Sequence, residues 1–257
     1  MNRGEPETVD VLGCRVSRVG LAETLQAMER MLAGRGKHQV VCHTVHTVLS
    51  ARGDRSLRSL YNSASLALAD GVPLVWASRI LGRPVPGRVA GPDLLLAASR
   101  AAARRGYTFF LMGGASGVAV RLAQELCRRN PGLRIAGAFS PPFHERFSPA
   151  VNEAIIARIN AANPDVLWVG LGSPKQDRWI AENLERLAVR VAVGVGAAFD
   201  MYGGRKRRAP RWMQSSGLEW LYRFLHEPRR LFHRYFLEAP PFLPLVVLQR
   251  LARRRAP

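Results

Sequence analysis

The sequence predicts an α/β protein: a parallel sheet with helices on both faces, followed by a basic C-terminal helical appendage. Three observations predict it. Short, nearly continuous apolar runs alternate with segments of helical period over residues 9–203, as strands buried on both sides of a parallel sheet require. Glycine-rich loops follow several of these runs, at the strand ends where open parallel sheets bind ligands. The composition then changes near residue 203. Residues 205–257 hold 13 Lys+Arg against 3 Asp+Glu, so this segment supplies +10 of the net +19, and they also hold Trp212, Trp220, Tyr222, Phe224, Phe232, Tyr235 and Phe236. The chain therefore divides into an α/β domain over 1–203, Rossmann-like in its alternation, and a helical appendage over 204–257.

The elements follow in order. VDVLGCRVSRV (9–19) alternates and turns at Gly13, which predicts a hairpin. Leu21, Leu25, Met28 and Leu32 recur at helical spacing over 20–33. HQVVC (38–42) is a strand, and VHTVLSARG and SLRSLYNSA are helical. In LALADGVPLVW (66–76) an apolar strand stops on Asp70 and Gly71 before a helix begins at Val72. A carboxylate there either caps that helix, by bonding its backbone at Val72, or faces the ligand crevice. Helices follow over 72–81 and 92–105, then the strand YTFFLM (107–112) and a helix over 117–129. LRIAGAF (133–139) is a strand, SPAVNEAIIARINAA (148–162) a helix and DVLWVGLG (165–172) a strand. SPKQDRWIAENLERL (173–187) is the next helix and VRVAVGVG (189–196) another strand. No repeat or low-complexity linker interrupts the series.

Composition narrows the function. The 47% apolar content is ample for a core, and 38 Lys+Arg against 19 Asp+Glu imply polyanionic company: nucleic acid, an anionic membrane surface or phosphorylated substrates. Cys14, Cys42 and Cys127 form no CxxC pair, which fits a reducing compartment without a disulfide framework. The start lacks the apolar segment of a secretory signal, and no stretch reaches the roughly 20 apolar residues that span a bilayer. The expected location is cytoplasmic, with a peripheral membrane role.

The loops carry the candidate chemistry. In MGGASG, Gly113, Gly114 and Gly117 either bring backbone N–H groups to a phosphate or allow tight strand–helix packing. GLGSPKQDRW (170–179) reads as a polar ligand loop, or as Ser173 capping a helix that begins at Pro174. GVGAAFDMYGG (194–204) is a third such loop. His43 and His46 are three apart but have no third ligand nearby, and no Asp-x-Asp occurs, so no metal is expected. GxGxxG, GxSxG and GxxxxGK[ST] are all missing, which weakens oxidoreductase, serine hydrolase and P-loop readings. In the appendage, aromatic residues and leucines at helical spacing with arginines between them suit an anionic bilayer surface. A pair of helices packed on the core, with a solvated basic face, is the plainer reading.

ADGVPLVWASRILGRPVPGRVAGPDLL, FFLMGGASG, GAFSPPF, NPDVLWVGLGSPKQDRWI and VGVGAAFDMYGGRKRRAPRWMQSSGLEWLYRFLHEPRRL together resemble, in order, the WecG/TagA/CpsF family of bacterial glycosyltransferases. The resemblance runs from about residue 9 to about residue 240. It implies transfer of a sugar from a UDP-activated donor to a sugar linked through diphosphate to a polyprenyl lipid. The expected place is the inner face of the cytoplasmic membrane, in teichoic acid, common antigen, capsule or exopolysaccharide assembly. Carried over by motif, the resemblance makes Asp70 the catalytic base and Arg88 a partner for phosphate or acceptor. It makes Gln176 a contact to a substrate sugar, lets Asp200 help to hold the uridine and packs Phe139 near its base. Arg208, Arg211, Arg223 and Arg230 would close over the site and meet diphosphate charge, so that the appendage is both membrane anchor and lid. Many members carry Thr-x-Asn where this chain has Cys42 and Thr44. A hydroxyl at Thr44 can still bond a sugar, with His46 as a neighbour.

The expected function is thus an inverting, metal- and cofactor-independent hexosyltransferase, with N-acetylmannosamine or another hexose as the transferred sugar. No nucleic-acid partner is expected, and self-association through the appendage is possible. The alternative is a non-catalytic basic protein that binds nucleotides or nucleic acid. Asp70 discriminates between them, because a polyanion binder gains nothing from a carboxylate in its crevice.

Overall fold

The computed structural model describes residues 6–142, 144, 146–204, 206 and 208–255, without the side chains of Arg211, Ser215 and Arg255. The chain opens with the antiparallel hairpin β1 (Thr8–Val11) and β2 (Cys14–Ser17). Helix α1 (Leu21–Ala33), strand β3 (His38–His43), helices α2 (Val45–Gly53) and α3 (Arg55–Ser63) and strand β4 (Leu66–Ala69) follow. Next come α4 (Val72–Ile80), α5 (Gly91–Arg105), β5 (Thr108–Gly113), α6 (Val118–Arg129), β6 (Arg134–Phe139), α7 (Pro149–Ala162) and β7 (Val166–Gly170). Helix α8 (Lys175–Asn183), a 3-10 turn (Leu184–Arg186), β8 (Val191–Gly194) and α9 (Ala198–Tyr202) complete the α/β part. The C-terminal segment forms α10 (Arg211–Ser215), α11 (Glu219–His226), α12 (Pro228–Phe232), a π-helical turn (His233–Glu238) and α13 (Phe242–Arg255).

Six strands form one parallel sheet in the order β4-β3-β8-β7-β5-β6. Side chains alternate across it with period two. Val40, Leu66, Leu68, Phe109, Leu111, Val166, Trp168, Val191 and Val193 face α1, α5, α6 and α9. On the other face Val41, Ala67 and Ala69 meet α2, α3, α4 and the hairpin, while Phe110, Met112, Leu167, Val169 and Ala192 meet α7 and α8. Covering both faces explains why the strands read as unbroken apolar runs. The hairpin also covers the β4 edge, where Ser17 Oγ accepts a hydrogen bond from the Ala67 N–H (3.1 Å).

The crossovers place a crevice at the carboxyl ends of the strands. From β5 the chain turns outward to β6 through α6, and from β7 it turns back to β8 through α8, on the opposite face. Crossovers that diverge in this way leave a gap for a ligand above the strand ends.

The C-terminal segment lies against this body. Phe242 and Val246 are buried beside α4. Gln249 Oε1 accepts from the Leu12 N–H (3.0 Å), and Arg253 pairs with Asp10 (2.8 Å). The plainer expectation, of helices packed on the core, thus holds for α13. No helix of the described residues is long and apolar enough to cross a membrane.

Candidate active site

Asp70 stands at the end of β4, half-buried, with its N–H donated to the carbonyl of His43 (2.8 Å). It does not cap α4, whose N-cap is Gly71 and has no side-chain cap. Asp70 Oδ2 instead accepts the backbone N–H of Gly91, the first residue of α5 (3.2 Å). The positive end of a 15-residue helix therefore steadies the carboxylate. Burial pushes the Asp70 carboxyl above its usual range, against the Gly91 hydrogen bond and the charges of Arg88 and Arg223, while Glu219 adds to the rise. A carboxylate so placed can accept a proton near neutral pH.

Arg88 is set beside it by the loop before α5, where Val89 donates its N–H to the carbonyl of Ala69 (2.9 Å). Its guanidinium bonds Glu219 (3.0 Å) and lies 3.6 Å from Asp93. Arg208 meets the same two carboxylates, Asp93 at 2.6 and 2.9 Å and Glu219 at 3.3 Å. Two arginines and two acids thus close a ring that ties α5 and its preceding loop to α11.

The C-terminal segment makes a second contact across the crevice mouth. Thr44 caps α2, and its Oγ1 accepts a hydrogen bond from Arg234 (3.0 Å). Burial pulls the Arg234 guanidinium below its ordinary range, and the charges of Arg223 and Arg230 add to this. Arg234 makes no ion pair among the described residues, and the Arg223 side chain makes neither a hydrogen bond nor an ion pair there. Together they make this edge of the crevice electropositive. His46 Nδ1 lies 2.8 Å from Glu238, which also meets His233 (2.9 Å). Burial pushes the Glu238 carboxyl up, but hydrogen bonds from the two histidines outweigh it and bring it below its usual range. Arg230 turns away to Glu227 on its own side (2.6 Å) and is exposed. The Arg211 side chain lies outside the described residues.

The remaining strand ends carry the glycine loops. Gly113 and Gly114 have positive φ, and a methyl group on Gly113 would lie 2.5 Å from the Gly170 carbonyl, so only glycine lets β5 and β7 end this close together. A methyl group on Gly114 would lie 2.6 Å from Val118, so packing alone accounts for both residues. Gly117 is the N-cap of α6, with φ +74°. At the end of β6, Phe139 is half-buried beneath the Arg158 guanidinium (4.5 Å from the ring centre). Asp200 on α9 has Lys206 Nζ 3.8 Å away.

After β7 the helix begins at Lys175 with Pro174 as its N-cap; Ser173 does not cap it, and its hydroxyl bonds the Asp177 carboxylate instead. Gln176 is 4% exposed, and its Oε1 accepts the Gly196 N–H (3.0 Å). His43 is buried at the end of β3, with Nδ1 on Thr47 Oγ1 (3.3 Å), Nε2 unpartnered and its pKa lowered by burial to about 4. No group of three or more metal-ligating side chains occurs among the described residues.

The strand ends and the C-terminal segment therefore bring Asp70, Thr44, His46, Arg88, Arg208 and Arg223 around one crevice mouth. Phe139 and Asp200 lie toward the β6 and β8 ends. Sequence reasoning missed Arg234, Glu219, Asp93 and Glu238. Their one signal was residue type, since the contacts that bring them to the crevice, such as Arg234 to Thr44, Glu238 to His46, Glu219 to Arg88 and Asp93 to Arg208, join distant parts of the chain.

Comparison with known proteins gives this geometry a family. Residues 9–256 match the model of the glycosyl transferase WecG/TagA/CpsF family. Proteins of Staphylococcus aureus strains MRSA252, MW2 and NCTC 8325 / PS 47 are each 27% identical over 231 residues, covering 89% of this chain and 89% of their own. Each is named N-acetylglucosaminyldiphosphoundecaprenol N-acetyl-beta-D-mannosaminyltransferase. The match spans the sheet, the crevice and the C-terminal helices alike, and the chain belongs to the WecG/TagA/CpsF family of glycosyltransferases.

Proposed function

We propose that this glycosyltransferase moves a hexose, of N-acetylmannosamine type or another, from a UDP-sugar to a sugar carried on a polyprenyl diphosphate. The observation that carries the reading is Asp70, a half-buried carboxylate at a strand end, with its pKa raised and with Arg88 and Arg223 close enough for their charges to bear on it. The names of the Staphylococcus aureus relatives supply the acceptor class and the first sugar to try.

In this mechanism Asp70 takes the proton of an acceptor hydroxyl as its oxygen attacks the anomeric carbon. The new C–O bond forms on the face opposite the departing UDP, which leaves with the electron pair of the broken bond, so the anomeric centre inverts. Arg223 and Arg234, with Arg88 and Arg208 when released from their carboxylates, neutralise diphosphate charge without a metal ion. Thr44 orients a substrate sugar, Gln176 acts on the donor through the loop it holds at Gly196, Asp200 and Phe139 flank the nucleoside, and the loop from Gly113 to Gly117 lies near the donor phosphates. The 204–257 segment acts as lid and membrane contact at the inner face of the cytoplasmic membrane, in cell-surface polysaccharide assembly.

The test is a UDP-release assay with a short-chain lipid-diphosphate-N-acetylglucosamine acceptor, a panel of UDP-sugars and EDTA. Acceptor-dependent release with one donor supports the reading and names the sugar. UDP binding without release from any donor removes the acceptor assignment. Absence of UDP binding removes the transferase reading.

A further inference from the structure

A buried polar chain under the crevice floor joins its two ends. Asp177, in the first turn of α8, is 2% exposed. Its Oδ2 accepts from the Tyr61 hydroxyl (3.1 Å) and from the Ser173 hydroxyl, and the Gln176 side-chain amide lies on its Oδ1 side, where it favours the ionised carboxylate. The Asp177 backbone carbonyl takes the Gln39 amide (2.9 Å). Through Gln176 the chain reaches the Gly196 N–H. A methyl group on Gly194 would lie 2.7 Å from Asp177 Oδ1 and 2.8 Å from Gln176 Nε2, so both side chains press directly on the end of β8. In the other direction the Tyr61 ring meets His43 edge to face, 4.7 Å between centres. The carbonyl of His43 holds the Asp70 N–H, and its ring reaches the Thr47 hydroxyl, which bonds the Thr44 backbone.

We propose that Asp177 is a positioning residue for the transfer reaction: its ionised carboxylate fixes the Gln176 amide and the Ser173 hydroxyl, and through them the loops after β7 and β8 that receive the UDP-sugar. The proposal rests on the transferase reading. Two hydroxyls converge on Asp177 Oδ2 with the Gln176 amide on the Oδ1 side, and the ionised form meets all three without a proton of its own to place. A protonated acid would have to donate one bond, turning either Gln176 or a hydroxyl. With its Oε1 held by the Gly196 N–H, the Gln176 amide turns its Nε2 toward the Asp177 side.

The same geometry makes the arrangement sensitive to pH. Burial pushes the Asp177 carboxyl up to about 6, although hydrogen bonds from Ser173, Tyr61 and Gln176 favour its ionised form. Tyr61 on α3 faces it, and burial and the Asp177 charge push that phenol up, so it stays neutral. Cys42 on β3 is likewise held neutral by burial and by the charges of Asp70 and Asp177. Next to Tyr61, His43 is neutral above about pH 4. Arg178, adjacent on α8, turns to Asp54 (2.6 Å).

The experiment measures kcat and KM against pH for the full chain, wild type beside Asp177→Asn and Tyr61→Phe, with the donor that supports UDP release. In Asp177→Asn an amide nitrogen replaces one acceptor oxygen. The donor KM is expected to rise about tenfold, as loss of one hydrogen bond to a charged group implies, with the acceptor KM unchanged. The component of the acid limb near pH 6 should vanish, leaving the limb due to Asp70. Tyr61→Phe removes one donor to the charged form, so the same component should move up by about one pH unit. A folded Asn variant with wild-type donor KM and pH profile overturns the proposal, as does an unmoved limb in the Phe variant. Should the Asn variant not fold, the Phe variant decides alone. If wild type neither binds UDP nor shows acceptor-dependent release, the transferase reading falls and this role with it. If wild type turns over and both variants match it, only the role of Asp177 falls.

Discussion

The Asp70 carboxylate accepts the backbone N–H of Gly91 at 3.2 Å, so the base proposed for transfer is held by the first residue of a helix it does not belong to. One oxygen is anchored and the other is left for an acceptor hydroxyl. Asp70→Asn keeps an oxygen for Gly91 but cannot take a proton. It is expected to lower kcat by about 10²- to 10⁴-fold, the usual share of a general base, while the thermal midpoint and UDP affinity stay near wild type. Substantial turnover in the Asn variant would remove Asp70 as the base.

Glu219 raises the Asp70 pKa while holding Arg88 and Arg208. Glu219→Gln keeps the shape and removes the charge. Without that negative neighbour the Asp70 pKa falls, the base stays ionised to lower pH, and its part of the acid limb of kcat/KM moves downward. Cleavage by a protease between residues 205 and 238 should quicken as well, because the ring then holds α11 through fewer charges. A limb that stays in place or moves upward would break the link from Glu219 to Asp70.

The sheet was legible because its inner strands had to be apolar on both faces, and Asp70 because it broke such a run. Most helices around the crevice were legible too, with ends displaced by one or two residues, but α8 stops at Asn183, four residues short, and α9 lies where a loop was expected. What escaped was carried by contacts between distant segments. Asp177 reads as an ordinary acid in the first turn of a helix, where the macrodipole alone would account for it; its partner Tyr61 is 116 residues away. Arg234 and Glu238 meet Thr44 and His46 across 190 and 192 residues. The resemblance implied that appendage arginines meet diphosphate charge, but the sequence could not show that Arg208 is engaged by Asp93 and Glu219 while Arg234 makes no ion pair among the described residues. Nor could it show that α13 packs on α4 through Phe242 and Val246.

Arg234 is desolvated, sits near Arg223 and Arg230 and makes no ion pair among the described residues. A cation in that position costs stability, which a bound anion offsets. Arg234→Ala should therefore leave the thermal midpoint of the free protein unchanged or slightly higher. The KM for the lipid-diphosphate acceptor should rise by about tenfold or more, since a hydrogen bond to a charged group contributes about 1.5–3 kcal/mol. A lower midpoint with an unchanged acceptor KM would make Arg234 a structural clamp on Thr44.

Phe232 and Leu237 are 51% and 60% exposed, and Phe232 stacks on the exposed Phe236 (5.3 Å). Arg229 and Arg230 are exposed in the same stretch. Apolar side chains beside guanidiniums match the acyl boundary and headgroups of an anionic bilayer. Replacing Phe232 and Leu237 together by serine removes about 2–3 kcal/mol of burial into lipid, allowing for the half of each side chain already covered, which corresponds to roughly 30- to 150-fold weaker partition. Sedimentation with phosphatidylglycerol vesicles reads this directly, and raised salt should weaken wild-type binding through the arginines. Because both side chains are largely exposed in the free protein, its thermal midpoint should hardly move. Equal sedimentation of the variant and wild type would mean that this face does not enter the bilayer.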